Sequence, residues 1–282
     1  FLGSLIAKAR VNGFQGNNLS DQNTIVACAK HFAGYGFSEA GRDYNTTDFN
    51  HYTLHNTIMP PFKAAVDAGV RTFMNSFNTL DEIPATGHKH IQRDILKEDW
   101  SFDGFIVSDW GSIDQMIPHG FARDGEHAAE LAVIAGSDMD MESSLYVSKL
   151  VGLVESGKVN EELLDDAVRR ILRVKYELGL FDDPYKYCDQ DRSDAELGSD
   201  ENMSFALEAA KKSIVLLKNE NQLLPLKKRN QIVAVIGQLA DDKNSPLGNW
   251  RSQVEYNSAV SVVEGMNKYK GNKILYQKGV DL

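Results

Sequence analysis

Two short runs carry residues whose types and spacing suit chemistry. GFIVSDWGS (104–112) puts Asp109 at the end of an apolar stretch with Trp110 beside it, and IVACAKHF (25–32) ends in the adjacent pair Lys30 and His31. A carboxylate, an ammonium and an imidazole together supply the acceptors and donors that the hydroxyls of a sugar require. Trp110 adds a flat apolar face on which a pyranose ring can lie. Each residue also has a plainer reading: Asp109 as the N-cap of GSIDQM, Lys30 as a solvated loop residue, His31 as a core imidazole and Trp110 as packing between sheet and helix. Lys30 further admits a Schiff-base aldolase, in which its amine would attack a carbonyl substrate.

Such groups work together only if strands deliver them to one place. Apolar runs at 25–32, 70–77 and 104–110 read as buried strands, with a shorter one around 136–141. Between them lie the helical stretches PPFKAAVDAG (60–69), HKHIQRDILKEDW (88–100) and GEHAAELAVIAG (125–136). A further helix follows Asn160 as N-cap, with Leu163, Leu164, Ala167, Val168, Ile171, Leu172 and Leu178 on one face and Gly179 as its stop. Strands joined by helical crossovers imply a parallel sheet covered by helices, and reactive groups then sit at the carboxyl ends of strands. Alternation places Phe105, Val107 and Asp109 on one face and Ile106, Ser108 and Trp110 on the other. If the first set faces a barrel interior, Asp109 caps a column of apolar side chains.

About four strand–helix units are legible where a closed barrel needs eight. The opening FLGSLIAKARVNGF is helical from its first residues, with Leu2, Leu5, Ile6 and Ala9 as the apolar face and no capping residue ahead of it. The fold expected is therefore α/β: the C-terminal half of a (β/α)8 TIM-type barrel over 1–181, a polar linker at 182–200, and the start of an α/β (αβα) sandwich over 201–282. In that last part ENMSFALEAAKKSIVLLKN (201–219) and SAVSVVEGMNKY (258–269) read as helices, and IVAVIG (232–237) and KILYQKG (273–279) as strands. A half barrel exposes sheet edges, so self-association into a homo-oligomer is expected.

The 282 residues carry a net charge of −10 with 42% hydrophobic and 25% charged residues, a globular composition that argues against nucleic acid or an anionic membrane as partner. No apolar run approaches the ~18 residues of a membrane span. Cys28 and Cys188 form no disulfide framework or metal-ligand spacing, and Cys28 reads as a small core residue. Neither a metal nor a cofactor is expected.

KHFAGYG (30–36), GRDYN (41–45), MNSFN (74–78), ILKEDWSFDGFIVSDWGS (95–112) and KSIVLLKNENQLLPL (212–226), in this order, resemble glycoside hydrolase family 3 and specifically its β-glucosidase-like members. The resemblance runs over nearly the whole chain. It implies a retaining glycosidase acting on β-linked oligosaccharides or glucosides, with Asp109 as the nucleophile that forms a glycosyl-enzyme. Lys30 and His31 match the pair that hydrogen-bonds the sugar in the −1 subsite. Met74 matches a residue lining that subsite, and Trp110 the aromatic side of the neighbouring one. Arg42 and Tyr44 fall in a variable loop and match possible substrate contacts; Phe77 stands where many relatives have Tyr, and lacks its hydroxyl. β-Xylosidases and β-N-acetylglucosaminidases share the family. The second group's KHFPGHG pattern is broken here by Ala33 and Tyr35, and no DSH follows. Relatives are often periplasmic or secreted.

A retaining mechanism needs two carboxyl groups about 5–5.5 Å apart. In-chain candidates for the second are Glu39, Asp43, Asp48, Asp138, Asp140 and Glu142. The resemblance instead assigns the acid/base role to a Glu beyond Leu282, and an early Asp and Arg of the sugar site to residues before Phe1. The expectation is a chain with the nucleophile and part of the −1 subsite; a non-catalytic sugar-binding fragment is the reading from another class.

Overall fold

The computed structural model describes residues 1–280. Two compact units divide at 194/195. In the first, α1 (Leu2–Gln15) leads to β1 (Cys28–Phe32), β2 (Thr46–Thr47), α2 (His51–Thr53), α3 (Met59–Asp67) and β3 (Thr72–Asn75). After β4 (Thr79–Leu80) and β5 (Ile83–Pro84) come the helix His90–Asp99, then β6 (Phe105–Val107), α4 (Gly125–Ala135), α5 (Leu145–Glu155), α6 (Glu161–Glu177) and α7 (Gln190–Glu196). β1, β3 and β6 form a parallel sheet in that order, and Val107 bridges in parallel to Met139. Three of the four strands expected from the sequence are thus present, each shorter than its apolar run, and the fourth, around 136–141, is reduced to the single bridge at Met139.

Phe32, Phe73, Ile91, Leu96, Phe102 and Ile106 fill the core between this sheet and its helices. Phe73 meets Phe32 and Phe102 edge-on at ring-centroid distances of 5.3 and 5.0 Å, the offset that aromatic quadrupoles favour. Gly104 opens β6 for a packing reason. A Cβ there would lie 2.1 Å from the carbonyl oxygen of Arg71 on the neighbouring strand.

Several sequence expectations need correction. The apolar stripe of α1 is not its buried face: Leu2, Leu5 and Ile6 are exposed, while Ala7 packs on the core and Val11 and Gln15 are buried. Small residues win because α1 lies close on α3, where a Cβ on Gly3 would meet Pro61 at 3.3 Å. Gln15 is the polar stitch of that contact. Its amide donates to Gly69 O (2.8 Å), and its oxygen accepts from the N–H groups of Ala27 and Arg71 (3.2 Å each) at the roots of β1 and β3.

The helix read at 60–69 begins earlier, capped by Asn50, whose side chain accepts from Thr53 N–H. A π-wound turn at Leu54–Ile58 leads into α3, so Pro60 falls at a fresh helix start. In α6 the Asn160 cap stands, but Val168 and Leu172 are exposed and Ala167 and Val174 are buried. Cys28 is exposed, not core. Part of the stretch read as a linker is docked on the first unit. Tyr187 Oη donates to Leu19 O (2.6 Å) and Arg192 to Gln22 O (3.0 Å).

The second unit holds α8 (Asp200–Ser213), β7 (Arg229–Ile236), α9 (Val262–Asn267) and β8 (Gly271–Gln277), with β7 and β8 parallel. α8 ends at Ser213, and Ile214 is already extended, so the helix read to residue 219 is too long. α9 starts on a capping box in which Ser261 and Glu264 satisfy each other's backbone N–H.

Candidate active site

The register between β1 and β3 explains how two consecutive residues reach the same side of the sheet. Ala29 pairs with Phe73 and Phe32 with Asn75, so Lys30 and His31 together oppose the single residue Met74. This is a two-against-one bulge. It returns Phe32 to the core, fully buried, while Lys30 stays exposed and His31 half-buried. Met74 in turn pairs with Val107, two residues before Asp109, so the row Lys30/His31, Met74, Val107, Asp109 runs across the strand ends.

Asp109 is 9% exposed. Its Oδ1 accepts from Trp110 N–H (2.7 Å), and Oδ2 lies 3.4 Å from His31 Nε2. That second oxygen is covered, and no hydrogen bond of acceptable angle reaches it. The 3.4 Å contact is therefore an electrostatic approach rather than a bond. The side chain does not cap GSIDQM; the turn there is closed by the backbone, Ser112 N–H to Asp109 O (3.0 Å). Among the described residues, the basic side chain within 4 Å of the Asp109 carboxylate is His31 and not Lys30. Burial lowers the His31 pKa, against the pull of Asp109, so the imidazole is neutral at pH 7 and can donate from only one ring nitrogen.

A cavity of about 670 Å³ opens beside this row, lined among others by Lys30, His31, Tyr35, Arg42, Asp43 and Phe62. Asp109 does not line it directly and meets it through His31. Tyr35, on its lining, belongs to an aromatic group that continues outside it. Tyr35 stands edge-on to His31 (5.1 Å) and to Phe77 (6.0 Å), and Tyr44 tilts over Phe77 at 4.4 Å. Tyr35 Oη donates to the Asp43 carboxylate, whose Oδ1 also accepts from Tyr44 N–H (2.9 Å). Burial first, then the bond to Asp43, push the Tyr35 pKa up, so the phenol stays protonated. The loop is held by a small sheet that the sequence did not announce, with β2 parallel to β4 and β4 antiparallel to β5. Tyr35 is the functional candidate that the sequence reading passed over; its signal was an aromatic four residues past His31 on the same loop.

Trp110 is 61% exposed, an open aromatic surface next to Asp109. The other carboxylates divide clearly. Asp138 is tied to Lys97 Nζ (2.6 Å) and Ile106 N–H (2.8 Å), and Asp140 caps α5 through Leu145 and Tyr146 N–H (2.8 and 3.1 Å). Glu39, Asp43, Asp48 and Glu142 are exposed. Among the described residues no cluster of His, Cys, Asp or Glu is arranged to hold a metal.

A carboxylate at the carboxyl end of a parallel strand, beside donors, a cavity and aromatic side chains, defines an α/β protein with a strand-end ligand site. The chain belongs to glycosyl hydrolase family 3: residues 2–174 match its N-terminal domain and residues 214–280 its C-terminal domain. It is 41% identical to a periplasmic beta-glucosidase of Salmonella typhimurium, over all of this chain and 37% of that protein. It is 35% identical to a beta-xylosidase of Formosa agariphila, over all of this chain and 41% of that one. Among solved structures, the Listeria innocua beta-glucosidase in complex with isofagomine superposes with a TM-score of 0.89 at 39% identity, over all of this chain and 40% of that chain. The chain thus spans well under half the length of the relatives it matches.

Proposed function

We propose that this chain carries the nucleophile side of a retaining β-glycosidase that releases terminal β-D-glucosyl residues from glucosides or oligosaccharides. The observation that carries the reading is the row of Lys30, His31, Met74 and Asp109 at the strand ends, with Asp109 Oδ2 free of any hydrogen-bond donor. Asp109 attacks the anomeric carbon, a C–O ester bond forms, and the leaving oxygen departs with a proton from a second carboxyl group. Water then attacks the same carbon, gives its proton to that second group, and releases Asp109. Lys30 and neutral His31 donate to sugar hydroxyls, Met74 packs under the ring, and Trp110 and Tyr44 offer apolar faces to the sugar or its aglycone.

Asp138 and Asp140 are taken up by structural partners, and the family resemblance assigns the acid/base role to a glutamate outside residues 1–282. In the same reading residues 1–181 belong to a (β/α)8 barrel, 182–200 to a connection and 201–282 to an α/β sandwich, and the protein works in the periplasm or outside the cell, as the named Salmonella relative suggests. A β-xylosidase is the second reading, favoured by the Formosa relative.

A dinitrophenyl 2-deoxy-2-fluoro-β-glucoside tests this, because its leaving group departs without protonation and so needs no acid partner. A covalent adduct on Asp109, absent in Asp109→Asn, is the expected result. No adduct, or one on Lys30 after borohydride with a carbonyl substrate, overturns it. Faster labelling by the corresponding xyloside selects the second reading.

A further inference from the structure

β6 pairs with β3 only through Phe105–Val107, so the strand ladder ends before Ser108 and Asp109. What holds the rest lies on the other side. Asp138 and Met139 donate their N–H groups to Ile106 O (2.8 and 3.1 Å), and Ser108 N–H donates to Met139 O (2.8 Å). Met141 N–H donates to Ser108 Oγ (2.8 Å) and Gly111 N–H to Met141 O (2.9 Å). Ile106 N–H finds no backbone partner in this pattern; the Asp138 side chain takes it (2.8 Å).

That carboxylate is fixed from behind. Lys97 Nζ, on the helix His90–Asp99, lies 2.6 Å from Asp138 Oδ1, and both side chains are only 3% exposed. Lys97 also lies 3.8 Å from Asp166 of α6. Asp166 grips Arg170 (2.9 and 3.0 Å), whose Nη1 donates to Phe102 O (2.7 Å) and Gly104 O (2.9 Å). Two cations and two carboxylates therefore balance in charge and hold the backbone at 102, 104 and 106, every second residue up to the site. A buried ion pair adds little net stability over an apolar pair of the same shape, so its value lies in what it orients.

We propose that Lys97 and Asp138 are positioning residues for Asp109: the ion pair locks Ile106 and the extended segment 138–141, and so fixes where the carboxylate stands relative to the anomeric carbon. This rests on the reading of Asp109 as nucleophile. Neither residue lines the cavity. Their loss should change the rate of the bond-forming step and leave sugar binding alone, since displacements near 1 Å cost up to about 100-fold in an attack geometry.

The test uses the full-length protein with the dinitrophenyl fluoroglucoside, measuring the first-order rate of adduct formation at saturation, the concentration for half-saturation, and the thermal midpoint. Lys97→Met is expected to slow adduct formation by roughly 10- to 100-fold at a half-saturating concentration within about twofold of wild type, with Lys97→Arg recovering part of the rate. A folded Lys97→Met variant that labels at the wild-type rate, or that loses affinity and rate together, overturns the proposal. If the unpaired Asp138 prevents folding, Lys97→Met with Asp138→Asn keeps an acceptor for Ile106 without a lone charge. The same slowing is then expected, and a wild-type rate overturns it. Wild-type protein that never acquires the adduct on Asp109 refutes the nucleophile reading itself and takes this inference with it.

Discussion

His88 is 7% exposed, and its Nδ1 has no hydrogen-bond partner. Burial lowers its pKa, with the neighbouring His90 acting in the same direction and Asp81 and Asp94 against it. His31 and His119 are lowered by burial as well. For each, the unfolded chain, titrating near pH 6.5, binds the proton more readily than the folded one. The stability these groups contribute is complete above about pH 6.5 and is lost as the pH falls through their lower folded values. Thermal midpoints should accordingly drop between pH 7.5 and pH 5. His88→Gln should reduce the slope; a slope unchanged in this variant would mean that other groups carry the acid sensitivity. The same neutral imidazole at His31 explains why that residue suits hydrogen bonding to a sugar better than pairing with the charge of Asp109.

At the scale of elements, Gln15 concentrates three bonds between α1 and the strand roots. Gln15→Leu should destabilise the first unit by about 1–3 kcal/mol, because one buried and one partly buried backbone donor lose their acceptor. Urea unfolding with an unchanged denaturant slope would measure this; a loss below a few tenths would mean that water takes over the amide's place. The sequence showed the three paired strands well, since apolar runs in a parallel sheet are continuous and here have Gly34, Gly69, Gly104 and Gly111 at or near their ends. It misplaced the face of α1, and in α6 drew the face too wide by Val168 and Leu172, because which side of a helix is buried depends on what lies against it, and in α1 the choice went to small residues that allow a close approach. Asp109, Lys30 and His31 were legible as polar residues ending greasy strands. The short sheet of β2, β4 and β5 was not, because two-residue strands leave no periodicity, and without it the partnership of Tyr35 with Asp43 could not be read.

For the whole molecule, β1 is paired on one side only, by β3, and among the described residues no strand covers its other edge. Exposed Leu5, Phe14 and Ile25 belong to the helix and strand approach beside it. The isolated 282-residue chain should therefore self-associate with rising concentration. A single monomeric peak in size-exclusion chromatography across micromolar to millimolar loading would count against that. The bulge in β1 limits how this chain can vary in length. Deleting one residue at 30 or 31 would remove no more than a single side chain from the sequence, yet it would change the parity of everything before it relative to Phe32. The two lining positions would become one, leaving either the ammonium or the imidazole without a place. Natural or engineered variants should thus tolerate substitutions at 30 and 31 far better than a one-codon deletion between Ala29 and Phe32, where reading-frame arithmetic and strand arithmetic disagree.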